Sequence, residues 1–216
     1  TMNMELILSS ITTACVNLLV FSFIPFLWWF FRHRKEISFF KWLGFIRPQL
    51  KSKWWILLLF AVVYYFFYTF DFTQWISPET MEYLENSGSV SVNAFAGIGA
   101  AAILPAFIEN FIGNGVAEEI LYRGFFCKRF CNKLGSVKGI LLQAVLFGLM
   151  HNALYLLAGL QVGLWYHMLM FLFTGMAALL LGWLNEKIFN GSILPGILLH
   201  GAGNFINSML MAFSLM

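Results

Sequence analysis

Charged residues are scarce in this chain. Asp, Glu, Lys and Arg make up 11% of its 216 residues, whereas a soluble domain carries about 25%. This scarcity excludes an ordinary water-soluble domain, and the hydrophobic share of 60% indicates a surface that faces mostly lipid. The apolar runs are continuous rather than alternating, which excludes a transmembrane β-barrel. The sequence therefore predicts an all-α fold, a polytopic transmembrane helical bundle.

Cysteine is also rare, with Cys15, Cys127 and Cys131 as the complete set. An odd number of thiols excludes a disulfide framework. The spacing of Cys127 and Cys131 is not that of a Cys-x-x-Cys redox motif, and two thiols without neighbouring histidines make a poor zinc site. We expect these cysteines to be ordinary small residues of the helices.

Six apolar runs approach the roughly 20 residues needed to cross a bilayer. They lie near 6–30, 54–70, 93–117, 139–159, 162–184 and 193–215. The first run lacks the small-residue cleavage site of a signal peptide, so we expect a retained span. The chain divides into residues 1–92, with two N-terminal spans, a basic loop and an external loop, and residues 93–216, with a core of four helices.

Charge sign differs between the connections. Basic residues cluster after the first and third runs, whereas the connection 71–92 has four acidic residues and no Lys or Arg. By the positive-inside rule, the basic connections are cytoplasmic, and the acidic connection and both termini lie outside. We expect the basic clusters to contact membrane lipid and not nucleic acid.

Ionisable residues inside the runs are functional candidates, because each costs about 2.5–3.5 kcal/mol on insertion scales. At helical spacing Glu119 and Arg123 pair on one face, whereas Glu118 points about 100° away from Glu119. Asn110, Asn114 and Glu118 are spaced to form a polar stripe that faces the bundle interior. The ionisable set is Glu109, Glu118, Glu119, Arg123, His151, His167 and His200.

Three of these residues lie at similar depth on different runs. At 1.5 Å per residue, Glu118, His151 and His200 are roughly 15, 20 and 14 Å from the cytoplasmic ends of their spans. A carboxylate there can act as general base toward water, while His200 and the Asn204 amide stabilise an oxyanion. The same Glu and two His residues can also bind zinc, with water as the fourth ligand.

Three short motifs occur in order on separate predicted spans. They are Glu-Glu-x-x-x-Arg in "EEILYR" (118–123), Phe-x-x-x-His in "FGLMH" (147–151) and His-x-x-x-Asn in "HGAGN" (200–204). With these motifs the chain resembles the CAAX protease and bacteriocin-processing (CPBP, or Abi) family of intramembrane proteases, over roughly residues 93–213.

The resemblance implies a role for each motif residue. Glu118 would activate water with the help of His151, and His200 and Asn204 would form the oxyanion hole. Glu119 and Arg123 would support the site structurally. The resemblance implies a glutamate-type endopeptidase without a metal cofactor; the alternative is zinc held by Glu118, His151 and His200.

The expected partners are lipid and a membrane-associated protein or peptide substrate, either of CAAX type or a bacteriocin or pheromone precursor. We expect a multi-pass protein of the cell membrane with its active site toward the cytoplasmic half. The short, Phe- and Ile-rich chain indicates bacterial origin. Two rival functions are a non-proteolytic self-immunity or scaffold protein and an ion or proton transporter. No inverted repeat supports the transporter.

Overall fold

The computed structural model describes residues 4–49, 53–69, 75–87 and 91–213. Within these residues every regular element is helical, which confirms the all-α prediction. The helices are α1 (Met4–Arg32), α2 (Phe39–Leu43), α3 (Trp54–Thr69), α4 (Pro78–Glu85), α5 (Gly99–Leu134), α6 (Ser136–Leu157), α7 (Leu164–Ile188) and α8 (Leu194–Phe213), with a 3₁₀ turn at Ser91–Phe95 before α5.

Four of these helices, α1, α5, α6 and α7, are long and apolar enough to cross a membrane. The shorter α3 has 16 residues, and α8 has 20. The six helices overlap the six predicted runs, and the largest difference is at α5, which extends to Leu134. The chain is therefore a multi-pass membrane protein.

The connections that carry basic residues meet at one end of the bundle. Lys128 Nζ, near the end of α5, donates to the carbonyl of Gly191 at 2.6 Å. The amide of Ile193 donates to the carbonyl of Gly44 at 3.0 Å. This arrangement agrees with the predicted alternation of the connections, while the orientation in the membrane stays a prediction.

The other connections meet at the opposite end. Trp165 Nε1, at the start of α7, donates to the carbonyl of Trp75 at 2.8 Å. The amide of Gln161 donates to the hydroxyl of Tyr83 on α4 at 3.3 Å. Of the charged residues in the predicted loops, Asp71 and Lys51 lie outside the described residues.

Helix α5 does not wind uniformly. Two segments, Ile108–Val116 and Ile120–Cys127, are π-helical, and the turn Ala117–Glu119 between them is α-helical. A π-helix forms i→i+5 hydrogen bonds, so one turn takes more residues than an α-turn. Residues four apart remain near one face of the helix here, as the contact of Glu119 with Arg123 shows.

Asn110 and Asn114 of the predicted polar stripe on α5 both contact neighbouring helices. Asn110 donates to Ser208 Oγ on α8 at 2.9 Å, whereas Asn114 accepts from Asn17 on α1 at 3.4 Å. The two amides contact different neighbouring helices. Both neighbours are thereby fastened to the helix that carries Glu118.

Glycines allow α5 and α8 to approach closely beside the two adjacent carboxylates. A Cβ on Gly115 would lie 3.2 Å from the Cα of Gly201, and a Cβ on Gly201 would lie 2.5 Å from the ring of Phe111. Larger residues at these positions would separate the helices. The crossing brings His200, next to Gly201, against the turn that carries Glu118 and Glu119.

Candidate active site

Glu119 is fully buried and contacts three side chains. Its Oε1 lies 3.0 Å from Arg123 Nη1 and 3.2 Å from His200 Nδ1, and its Oε2 accepts from Asn185 Nδ2 at 3.3 Å. The spacing of Glu119 and Arg123 thus produces the predicted pair. The carboxylate also joins α5 to α7 and α8.

The Arg123 side chain is 1% exposed. Its N–H groups do not point at the Glu119 carboxylate, so the 3.0 Å contact is an ion pair without an aligned hydrogen bond. The guanidinium lies over the ring of Phe147, with its carbon 4.6 Å from the ring centroid. This cation–π contact ties α5 to α6.

Asn185 was not among the residues predicted from the sequence. It is fully buried in the π-helical last turn of α7, Leu184–Ile188. Its amide donates to Glu119 Oε2, and its oxygen accepts from the amide of Gly196 at 3.0 Å. The fifth apolar run was predicted to end at 184, which assigned Asn185 to a connection. The sequence signal that could have indicated Asn185 is an amide residue directly after the end of an apolar run.

Glu118 differs from its neighbour. It is 17% exposed, and its Oε2 lies 3.8 Å from His200 Nε2, which is too long for a hydrogen bond. Within the described residues this oxygen is buried and has no hydrogen-bond partner. Of the two adjacent carboxylates, Glu119 is held on both oxygens, and Glu118 keeps Oε2 available.

His200 lies between the two carboxylates. Because a carboxylate only accepts, the contact between Glu119 and Nδ1 requires a hydrogen on Nδ1. In the neutral ring Nε2 is then an acceptor. The ring can donate from Nε2 as well only when it is doubly protonated.

His151 is placed by the preceding turn of α6. Its Nδ1 lies 2.9 Å from the carbonyl oxygen of Phe147, so the hydrogen of a neutral ring is on Nδ1 and Nε2 is an acceptor. The His151 ring packs on the Phe147 ring at a centroid distance of 4.5 Å. Phe147 also meets the His200 ring edge-on at 6.1 Å, so it lies between the two histidines.

Asn204 lies one turn after His200 on α8 and is partly buried. At this spacing its side chain is on the same face of α8 as that of His200. The structure thus brings the motif residues of α5 and α6 together with His200 of α8.

The remaining ionisable candidates contact other residues. Glu109 accepts from Ser10 Oγ on α1 at 3.3 Å. His167 pairs with Asn152, with Nδ1 3.0 Å from the amide oxygen, and so joins α7 to α6. These contacts make both residues parts of helix interfaces.

The alternative function of the site is to bind zinc. In the part of the chain that the structure describes, no three His, Cys, Asp or Glu side chains are grouped to hold a metal ion. Nδ1 of His151 faces a carbonyl and Nδ1 of His200 faces Glu119, which leaves one nitrogen on each ring. The free nitrogen on each ring is the one that a zinc ligand would use, so zinc held by Glu118, His151 and His200 stays an alternative.

The family model described as type II CAAX prenyl endopeptidase Rce1-like matches residues 99–206, which is half of the chain. This region contains all three motifs, from Glu118 to Asn204. No curated protein and no solved structure gave a significant match. The chain belongs to the Rce1-like family of type II CAAX prenyl endopeptidases, within the CPBP proteases.

Proposed function

We propose that this protein is an intramembrane endopeptidase that hydrolyses a peptide bond of a membrane-associated protein or peptide with a water molecule activated by Glu118. One observation carries the proposal: two adjacent carboxylates have different surroundings. Glu119 is saturated by Arg123, His200 and Asn185, whereas Glu118 stands beside His200 with an unpaired oxygen. A carboxylate whose two oxygens are both bound has a structural role, whereas a carboxylate with an unpaired oxygen can accept a proton and act as a general base.

In the proposed reaction, Glu118 accepts a proton from water while the water oxygen attacks the substrate carbonyl. His151 Nε2, an acceptor because Nδ1 faces Phe147, takes the second hydrogen bond of the water. The tetrahedral intermediate collapses when the carbon–nitrogen bond breaks, and Glu118 returns its proton to the leaving amine. The products are a carboxylic acid and an amine, which exchange a proton to become a carboxylate and an ammonium group, and the enzyme is unchanged.

The oxyanion is stabilised by donors on α8. His200 donates from Nε2 when the ring is doubly protonated, since Nδ1–H is already held by Glu119. The Asn204 amide donates from the same helix face. Loss of one such donor costs about 2.7–4 kcal/mol of transition-state stabilisation. Asn185, Arg123 and Glu119 keep the His200 ring in place and are positioning residues.

The substrate class follows from the family and from the expected location. We propose a CAAX-type protein or a bacteriocin or pheromone precursor, cleaved in the cytoplasmic half of the cell membrane of a bacterium. The basic end of the bundle, where Lys128 and Gly191 meet, is the proposed cytoplasmic end.

A non-proteolytic scaffold for self-immunity is the second candidate, and one experiment separates the two. Peptide termini are mapped in membranes and in the secreted fraction of cells with wild-type protein, with Glu118→Gln or with no protein. The protease produces a terminus that is present only with the wild type. A terminus profile identical in all three cells, with immunity retained by Glu118→Gln, would establish the scaffold.

A further inference from the structure

Tyr122 is a buried residue that the proposed mechanism does not use. It is 2% exposed, and within the described residues its hydroxyl is buried without a hydrogen-bond partner. A buried phenol hydroxyl normally finds a partner, because desolvation of an unpaired polar group costs about 1–3 kcal/mol. Its position therefore calls for a functional explanation.

The ring of Tyr122 is held by aromatic neighbours. It meets Phe147 edge-on at a centroid distance of 4.8 Å and packs on Phe126 at 6.0 Å and Phe21 at 6.4 Å. These contacts from α6, α5 and α1 orient the ring and thereby place the hydroxyl. Phe147 is also the residue against which both histidines pack.

Tyr122 is flanked on α5 by the residues of the first motif, Glu118 four positions before it and Arg123 directly after it. Glu118 precedes Tyr122 by one turn of α5, across the boundary between Ala117–Glu119 and the second π-helical segment. The unpaired atom of Glu118 is an acceptor and that of Tyr122 is a donor. The acceptor atom and the donor atom are therefore complementary, and their residues lie one turn apart on α5.

We propose that Tyr122 positions the catalytic base: its hydroxyl donates to Glu118 Oε2, directly or through one water, when substrate occupies the site. Oε1 is then directed at the attacking water. This role rests on the proposed protease function. Hydrogen bonds of catalytic groups are often long in the free enzyme and shorten in the complex. The partly exposed Glu118 side chain can make this adjustment, because its Oε2 has no other hydrogen bond to break.

Tyr122→Phe tests the proposal, because it removes one oxygen and keeps the ring that packs on Phe147. The substrate is a synthetic peptide that spans the cleavage site found by terminus mapping. We expect kcat to fall about 10- to 100-fold, the effect of a misplaced catalytic group, while KM stays within about twofold because ground-state binding is unchanged. The thermal midpoint in detergent should not fall, since the hydroxyl has no partner to lose.

Tyr166→Phe is the matched control. Tyr166 is also buried, but it lies at the start of α7, at the opposite end of that helix from Asn185. It packs there against Tyr155 at a centroid distance of 5.7 Å. It should keep the wild-type kcat. Wild-type kcat in Tyr122→Phe would overturn the proposal, and so would a fall in kcat accompanied by a lower thermal midpoint, which indicates a structural role. If terminus mapping finds no cleavage by the wild type, the proposed function fails first and the role of Tyr122 fails with it.

Discussion

Helices α5 and α6 differ in their winding and in the use they make of buried polar residues. α6 is a regular α-helix, and its buried Gln143 donates to the carbonyl of Ala178 on α7 at 2.9 Å, a contact that only joins two helices. α5 is interrupted by two π-helical segments, and the turn between them carries Glu118 and Glu119. The last turn of α7, which supplies Asn185, is π-helical as well.

The irregular segments of α5 thus flank the turn that carries Glu118 and Glu119. π-helical turns are rare and occur frequently at functional sites. In α5 the extra residues of the π-turns set the direction in which the short α-helical turn presents its two carboxylates. The regular helices α6 and α8 supply the two histidines, and the irregular segments supply the buried residues Arg123 and Asn185 that support the site.

The largest expected effect is on the irregular helix and concerns activity. Glu118→Gln keeps the size of the side chain and removes the base, so cleavage should fall about 10²- to 10⁴-fold. The thermal midpoint should remain close to wild type, because Glu118 Oε2 has no hydrogen bond to lose. Glu109→Gln, on the same helix but bonded to Ser10, is the control and should cleave normally. Retained cleavage by Glu118→Gln would contradict the assignment of Glu118 as the general base.

Glu119→Gln should show the opposite pattern, with stability as the primary loss. It leaves the buried Arg123 without a charge partner, which costs about 3–5 kcal/mol. The measurement is the thermal midpoint in detergent, compared with that of Glu118→Gln. Equal midpoints for the two variants would contradict the division between the adjacent carboxylates.

Asn185→Ala tests whether the irregular end of α7 supports the site. It removes a donor to Glu119 and an acceptor for the Gly196 amide, both buried, so stability should fall by about 1–3 kcal/mol. Cleavage should also fall, because the ring of His200 depends on Glu119. Asn152→Ala, whose partner is His167, offers a comparison at a helix interface. If Asn185→Ala has a normal thermal midpoint and normal cleavage, then α7 does not support the site.

The smallest effect is expected on regular α6. Gln143→Met removes the bond to the Ala178 carbonyl but also removes the Gln143 Oε1 atom, which has no partner among the described residues. The two changes oppose each other, so we expect a stability loss of about 1 kcal/mol or less and unchanged kcat. Thermal melting and peptide cleavage measure the two quantities. A large loss of cleavage would contradict the purely structural role of α6 at this position.

The helices could be predicted from the sequence where hydropathy and backbone structure coincide. The runs at 54–70, 139–159 and 193–215 differ by a few residues from α3, α6 and α8. The third run, predicted at 93–117, is wrong at both ends, because α5 extends over Gly99–Leu134. The apolar run ends before Glu118, whereas the helix itself continues to Leu134 at the basic end of the bundle.

The site could be predicted only as far as side-chain spacing determines it. The pairing of Glu119 with Arg123 follows from positions four apart on one helix. The π-helical winding of α5 could not be predicted, because either hydrogen-bond pattern suits the same apolar composition. The contact of Asn185 with Glu119 and the surroundings of Tyr122 depend on how separate helices pack.

The close crossing of Gly115 and Gly201 has a consequence for biogenesis. His200 follows Glu119 by 81 residues, so the ribosome completes α5 well before it completes α8. While α8 is still being synthesised or inserted, the nascent chain has one carboxylate held by Arg123 and no oxyanion donors from His200 or Asn204. In the proposed mechanism, proteolytic competence therefore arises only when α8 docks, and an incompletely inserted chain does not cleave its neighbours in the membrane.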